Sequence, residues 1–163
     1  MSDVATPSLT HLAEQEARLV FPRFDNDLAW DLGLHLAAAG REAGHGIAIS
    51  IRRNGQRLFH AALAGAAAEN DAWLERKSAV VDRYSHSSLF VGEMFRANGE
   101  DFDTHGRLDT AHFAAHGGAF PVTVRGVGVV GTVAVSGLPA VEDHRFVVTQ
   151  IEAFLQSGGH LAG

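Results

Sequence analysis

The stretch IAISIRRNGQRLFHAAL, residues 47–63, leaves little freedom about what it can become. Apolar and polar side chains alternate on both sides of Asn54-Gly55, the dipeptide best suited to the two positive φ angles of a two-residue hairpin turn. The turn predicts a register in which Ile51 faces Leu58, Ile49 faces His60 and Ile47 faces Ala62. His60 then lies on the isoleucine face. The other face pairs Ser50 with Phe59 and Arg52 with Arg57. Two like charges side by side call for a carboxylate or a bound anion near them.

A second hairpin grows out of HGGAFPVTVRG, residues 116–126. A turn at Gly126-Val127 would set Val124 opposite Val129, Val122 opposite Gly131, Phe120 opposite Val133 and Ala119 opposite Ala134. LVFPRF reads as one more short strand, which Pro22 confines to an edge or a strand end. Helical spacing fills most of the rest. Residues 8–19 form a short helix with Leu9, Leu12 and Leu19 as apolar points. Asp25-Asn26-Asp27 opens a helix to about Glu42, with Gly44 as its cap. That helix is apolar around most of its circumference, so it wants a sheet below and another subunit above. Asn70 or Asp71 opens a third, with Trp73, Val80, Val81 and Tyr84 inward, and Ser87 caps a fourth. Residues 98–109 are polar and rich in Gly and Asp, the loop expected to move most. Asp109 can cap a short helix, 110–115, that Gly117 ends. After Pro139 a last helix turns Val147, Val148, Ile151, Phe154 and Leu155 inward, with His144 on the same face. Hairpins dominate and long crossovers are few. The expectation is one α+β domain over residues 1–163, its sheet mainly antiparallel with helices packed on it.

Composition narrows the function. A chain of 163 residues with 46% apolar and 20% charged side chains matches an ordinary soluble globule. Its net charge of −6 argues against a general nucleic-acid binder. The absence of cysteine removes disulfides, thiolate nucleophiles and Cys-ligated metal. MSDVATPSL lacks the pattern of a signal peptide, and no apolar run approaches the roughly 18 residues of a membrane span. A cytoplasmic protein that contacts neither nucleic acid nor membrane is expected.

LFHAALAG, NDAWLERK, HSS, HGGAFPVTVRG, GVVGTVAVSGLP and EDH occur in that order. Together they resemble the heme-degrading-domain superfamily, GlcG-like or HbpS-like, and more closely its branch numbered 0303. The resemblance runs from about Leu12 to Leu155. Ala64 departs from it, standing where the branch usually has proline. The resemblance implies a profilin-like α+β fold with a five-stranded antiparallel sheet, and a homo-oligomer, dimer or larger ring. It also implies heme or a related tetrapyrrole as the ligand class, while assigning the branch no reaction.

Histidine is the only strong heme-iron ligand in this composition. His60 reads as a core histidine or a site residue. His116 reads as a helix-end cap or a ligand group, and Gly117-Gly118 beside it can offer N–H donors to an anion. The strand register brings these glycines next to Ser136-Gly137 and the start of the last helix. His116 and His144 are therefore expected around one hollow, with the helix dipole favouring an anionic group. Trp73, Arg76 and Lys77 share part of one helical surface, suited to snorkelling packing or to an aromatic-plus-cation wall for a small planar anionic ligand. His112 and His116 could form half of a metal pair, but no third ligand follows in sequence, and no metal site is expected. No acid–base pair stands out. The readings are an oligomeric small-molecule-binding domain, a non-catalytic interaction scaffold, and last a cofactor-independent enzyme using His60, His116 or His144.

Overall fold

A computed structural model describes residues 4–158. Asn54 and Gly55 both take left-handed backbone, φ 51° and 79°. They join β1 (Ala48–Arg53) to β2 (Gln56–Ala62) as an antiparallel hairpin. The expected register holds only beside the turn, where Arg53 faces Gln56 and Arg52 faces Arg57. A bulge between Ile51 and Arg52 then slips it by one, so that Ile51 faces Phe59, Ile49 faces Ala61 and Ser50 faces His60. Burial explains the slip. It puts Phe59, 7% exposed, on the isoleucine face and turns His60 out, correcting that residue's expected place. The carboxylate required by the facing arginines is Glu75, bonded to Arg57 and 3.7 Å from Arg52, with Asp82 at 3.3 Å from Arg52.

The second hairpin joins β3 (Ala119–Val124) to β4 (Gly128–Ser136). Val122–Gly131, Phe120–Val133 and Ala119–Ala134 pair as expected, while Val124 faces Gly128 instead of Val129 after a slip near the turn. β1 pairs with β4, giving the order β2-β1-β4-β3. A β-carbon on Gly131 would run into the carbonyl of Arg52 on β1. Gly131→Ala should therefore lower stability by about 1–3 kcal/mol. The check is a lower urea midpoint at unchanged slope; an unchanged midpoint would show that the two strands part there without cost.

Among the described residues the sheet has four strands, not five. Phe21 adds only a parallel bridge to Val124, its N–H donating to Thr123 at 2.8 Å and its carbonyl accepting from Arg125 at 2.9 Å. Pro22 follows at once and lacks the N–H that a longer strand requires.

α2 (Asn26–Glu42) and α6 (Ala140–Ser157) cover one face of the sheet. They set Leu32, Leu36, Val147 and Ile151 on Ile49, Ile51, Phe120 and Val133. The other face is lined by small residues, Ala48, Ala119 and Ala134, and takes α3 (Ala68–Tyr84) through Leu74 and Val81. Thr132 and Ala134 on β4 are covered from that side at 1% and 0% exposure. α1 (Leu9–Arg18) and α4 (Ser88–Ala97) complete the end nearest the start of α6. Residues 98–109 are not a featureless loop, since the one-turn α5 (Phe102–His105) buries Phe102. Residues 110–115 form no helix. Asp109 caps a single turn there, accepting from the Ala111 N–H at 2.9 Å and pairing with His112 at 2.8 Å. His116 is thus at no helix end, and no helix sets His112 and His116 on one face. Among the described residues, no helix is long and apolar enough to cross a membrane.

Candidate functional site

Because Ala119 faces Ala134, the turn before β3 and the link after β4 lie side by side. α3 and the first turn of α6 close the space around them. The result is a hollow of about 310 Å³, lined by Trp73, Lys77, His116, Gly117, Ser136 and Asp143 among others.

The glycine pair serves close packing. A β-carbon on Gly117 would strike the carbonyl of Ala140, and one on Gly118, φ 131°, would strike the Lys77 ammonium. Lys77 is 2% exposed and forms the floor. It donates to the Val135 carbonyl at 2.6 Å and the Gly117 carbonyl at 3.1 Å, and lies 3.4 Å from Asp143. Asp143 also accepts from the Leu138 N–H at 3.0 Å. Burial pushes Asp143 up to about 6 against the pull of Lys77, and pushes Lys77 below its ordinary value against the pull of Asp143. With three acceptors for three N–H groups, Lys77 ties strands to helix and has no proton left to reach for a ligand. Asp143 is the partner that sequence reasoning missed. The one signal was Lys77 itself, which falls between Leu74 and Val81 on the buried stripe of α3.

His116 stands at the rim and is exposed. Its ring meets Trp73 edge-on, with centroids 5.3 Å apart. The Arg76 guanidinium lies 4.4 Å from the Trp73 ring centroid, steadied by its Nε donating to the Thr110 carbonyl at 3.0 Å. Partial burial lowers the pKa of His116; Asp103 opposes this, while Arg96, Arg76 and Lys77 add to it. The imidazole is therefore neutral at pH 7, with a nitrogen lone pair to offer. On its other side lies a second hollow of about 280 Å³ that Arg96 also lines.

His144 does not share the first hollow. It is 2% exposed, with its Nε2 bonded to Gln15 of α1 at 2.8 Å and its Nδ1 buried without a partner. Adjacent helical residues point about 100° apart, so Asp143 takes the hollow side and His144 the α1 side. Burial holds the His144 pKa at about 4. His60 lies elsewhere, bonded to Asp71 at 2.8 Å near the start of α3. The structure brings together His116, Gly117, Gly118, Trp73, Arg76 and Lys77, and leaves His60 and His144 apart.

An antiparallel sheet with helices on both faces, and a hollow where β3 begins and β4 ends, defines the class of fold. The family model "Haem degrading protein HbpS-like" matches residues 24–152. A UPF0303 protein of Streptomyces coelicolor is 58% identical over 149 residues, 91% of this chain and 94% of the relative. The crystal structure of Ybr137w protein is similar at TM-score 0.83 and 30% identity, over 96% of this chain and 90% of that one. A PduOC:heme complex shares the fold at TM-score 0.65 and 15% identity, over 82% of this chain and 95% of that one. The chain belongs to the HbpS-like haem-degrading family, in its UPF0303 branch.

Proposed function

We propose that this chain is a ligand-binding domain whose site is the hollow at His116, and that it takes heme or a related planar, carboxylated tetrapyrrole. One observation carries the reading: an exposed, neutral imidazole set edge-on to Trp73, with Arg76 stacked on that ring. Imidazole is a strong iron ligand, the indole offers an apolar wall to a macrocycle, and Arg76 supplies a cation for a propionate, while Arg96 beside the second hollow is paired with Glu93. The donor set fits heme. The hollows of about 310 and 280 Å³ on either side of His116 leave room for a plate held at that ring. The heme complex of PduOC, built on the same fold, supports the choice of ligand. Heme bound there would supply the redox chemistry. The protein's part is to hold, orient and shield the ligand, and no catalytic set is assigned to it.

A homo-oligomeric scaffold is the second reading, favoured by Trp30 and Leu34, which remain 55% and 47% exposed on α2. Hemin titration separates the two. A sharp Soret shift saturating at one hemin per chain is expected; featureless or substoichiometric binding leaves the scaffold.

A further inference from the structure

We infer that the outer stripe of α2 is a two-fold seam, on which a second copy of this chain docks with its own α2 antiparallel. The inference is independent of the ligand and gives the proposed homo-oligomer a geometry, on which reading it rests.

Asp27, Trp30, Asp31, Leu34, Ala38 and Arg41 recur at three- and four-residue steps, all six are exposed, and Asp31 lies at the edge of the stripe away from Trp30. That spacing keeps them on one side of the helix, with the Asp31 carboxylate on its solvent margin. The inward side is already occupied, with Leu28, Ala29, Leu32, Gly33, Leu36 and Gly40 buried. Three large apolar side chains are exposed among the described residues, and the two that are not at a hairpin turn both lie on this stripe.

The order of the stripe is self-complementary. Leu34 is the midpoint of Asn26–Glu42. A copy rotated by a two-fold axis there sets Leu34 on the partner's Leu34, as the symmetry requires. It sets Trp30 over the partner's Ala38, a large ring over a methyl group. It sets Asp27 against the partner's Arg41, and Arg41 against the partner's Asp27, so opposite charges close both ends. No other residue of the chain on this stripe could serve as the centre and give these matches. Trp30 is already steadied by Phe59, with ring centroids 5.6 Å apart, so ordering it on association costs little side-chain entropy. Near-antiparallel crossing at about 20° suits this spacing. A stable interface covers roughly 800 Å² per partner, more than one helical stripe supplies. α6 lies beside α2 on the same sheet face, so the two-helix layer as a whole meets its symmetry mate.

The absence of cysteine makes Leu34→Cys a direct probe, because only a residue on the axis meets itself. Mild oxidation should convert most Leu34→Cys chains to covalent dimers, while Glu14→Cys, exposed on α1, should remain single. In sedimentation velocity at micromolar concentration, Leu34→Lys should halve the mass of the wild-type species. Asp27→Lys and Arg41→Glu should each weaken association about tenfold, and the two together should restore it. That rescue is not expected of a merely misfolded variant. A wild-type monomer would overturn the homo-oligomer itself. A wild-type oligomer indifferent to Leu34→Lys and to both charge reversals would overturn the seam alone.

Discussion

Lys77→Met should destabilise the protein by about 3–5 kcal/mol, the range for breaking a buried ion pair from one side. Methionine fills the space but leaves Asp143 buried without its cation, at 3% exposure. It also removes the donor to the carbonyls of Val135 and Gly117. Adding Asp143→Asn should recover part of the loss by removing the stranded charge. The loss should also shrink as pH falls and Asp143 takes up a proton. Urea unfolding of the two single variants and the double variant measures the coupling. A neutral Lys77→Met would mean that the ammonium does not hold the floor of the hollow.

His144 should make stability depend on pH, with a sign fixed by its burial. Its pKa is about 4 in the folded protein against an ordinary 6.5. Between those values the unfolded chain binds a proton that the folded chain does not, so this contribution falls as pH falls. The full effect is roughly 3 kcal/mol. Asp143 acts the other way. Its folded pKa of about 6 lies above the ordinary 3.8, so its contribution rises as pH falls from about 6 toward 4. The contributions of these two neighbours should therefore largely offset each other across that window. His144→Gln removes one of the two opposing effects, and the variant should gain on the wild type by roughly 3 kcal/mol between pH 6.5 and 4. Parallel pH curves for the two proteins would show that His144 is not held neutral by burial.

Both hairpins were legible because turn chemistry and alternation are local. Asn54-Gly55 fixed its own turn and the first two pairs beside it. The bulge was not legible, since only the assembled sheet makes Phe59 a better inward residue than His60. Asp109 was recognised as a capping residue, but no helix follows it. The Ala114 N–H instead donates to the Arg76 carbonyl of α3 at 3.1 Å, and Ala114 and Ala115 are buried. Tertiary bonding there overrides local propensity. At the candidate site, strand register brought Gly117 to Ser136 and to the start of α6, which is where the hollow lies. Register says nothing of helix phase, however, and phase decided between Asp143 and His144. Trp73 and His116 each stood out in the sequence, but separately, because the chain between them has to fold back across α3 before the rings meet.

The central claim is that the His116 imidazole is the ligand-holding group. Hemin titration of the wild type, His116→Ala and His60→Ala, followed in the Soret region and paired with thermal melting to show that each is folded, tests it most directly. The wild type and His60→Ala should give the same sharp, shifted band saturating at one hemin per chain. His116→Ala should lose that shift and bind more than about tenfold more weakly, a cost above about 1.4 kcal/mol. A folded His116→Ala protein that binds hemin with the wild-type spectrum and affinity would contradict the account.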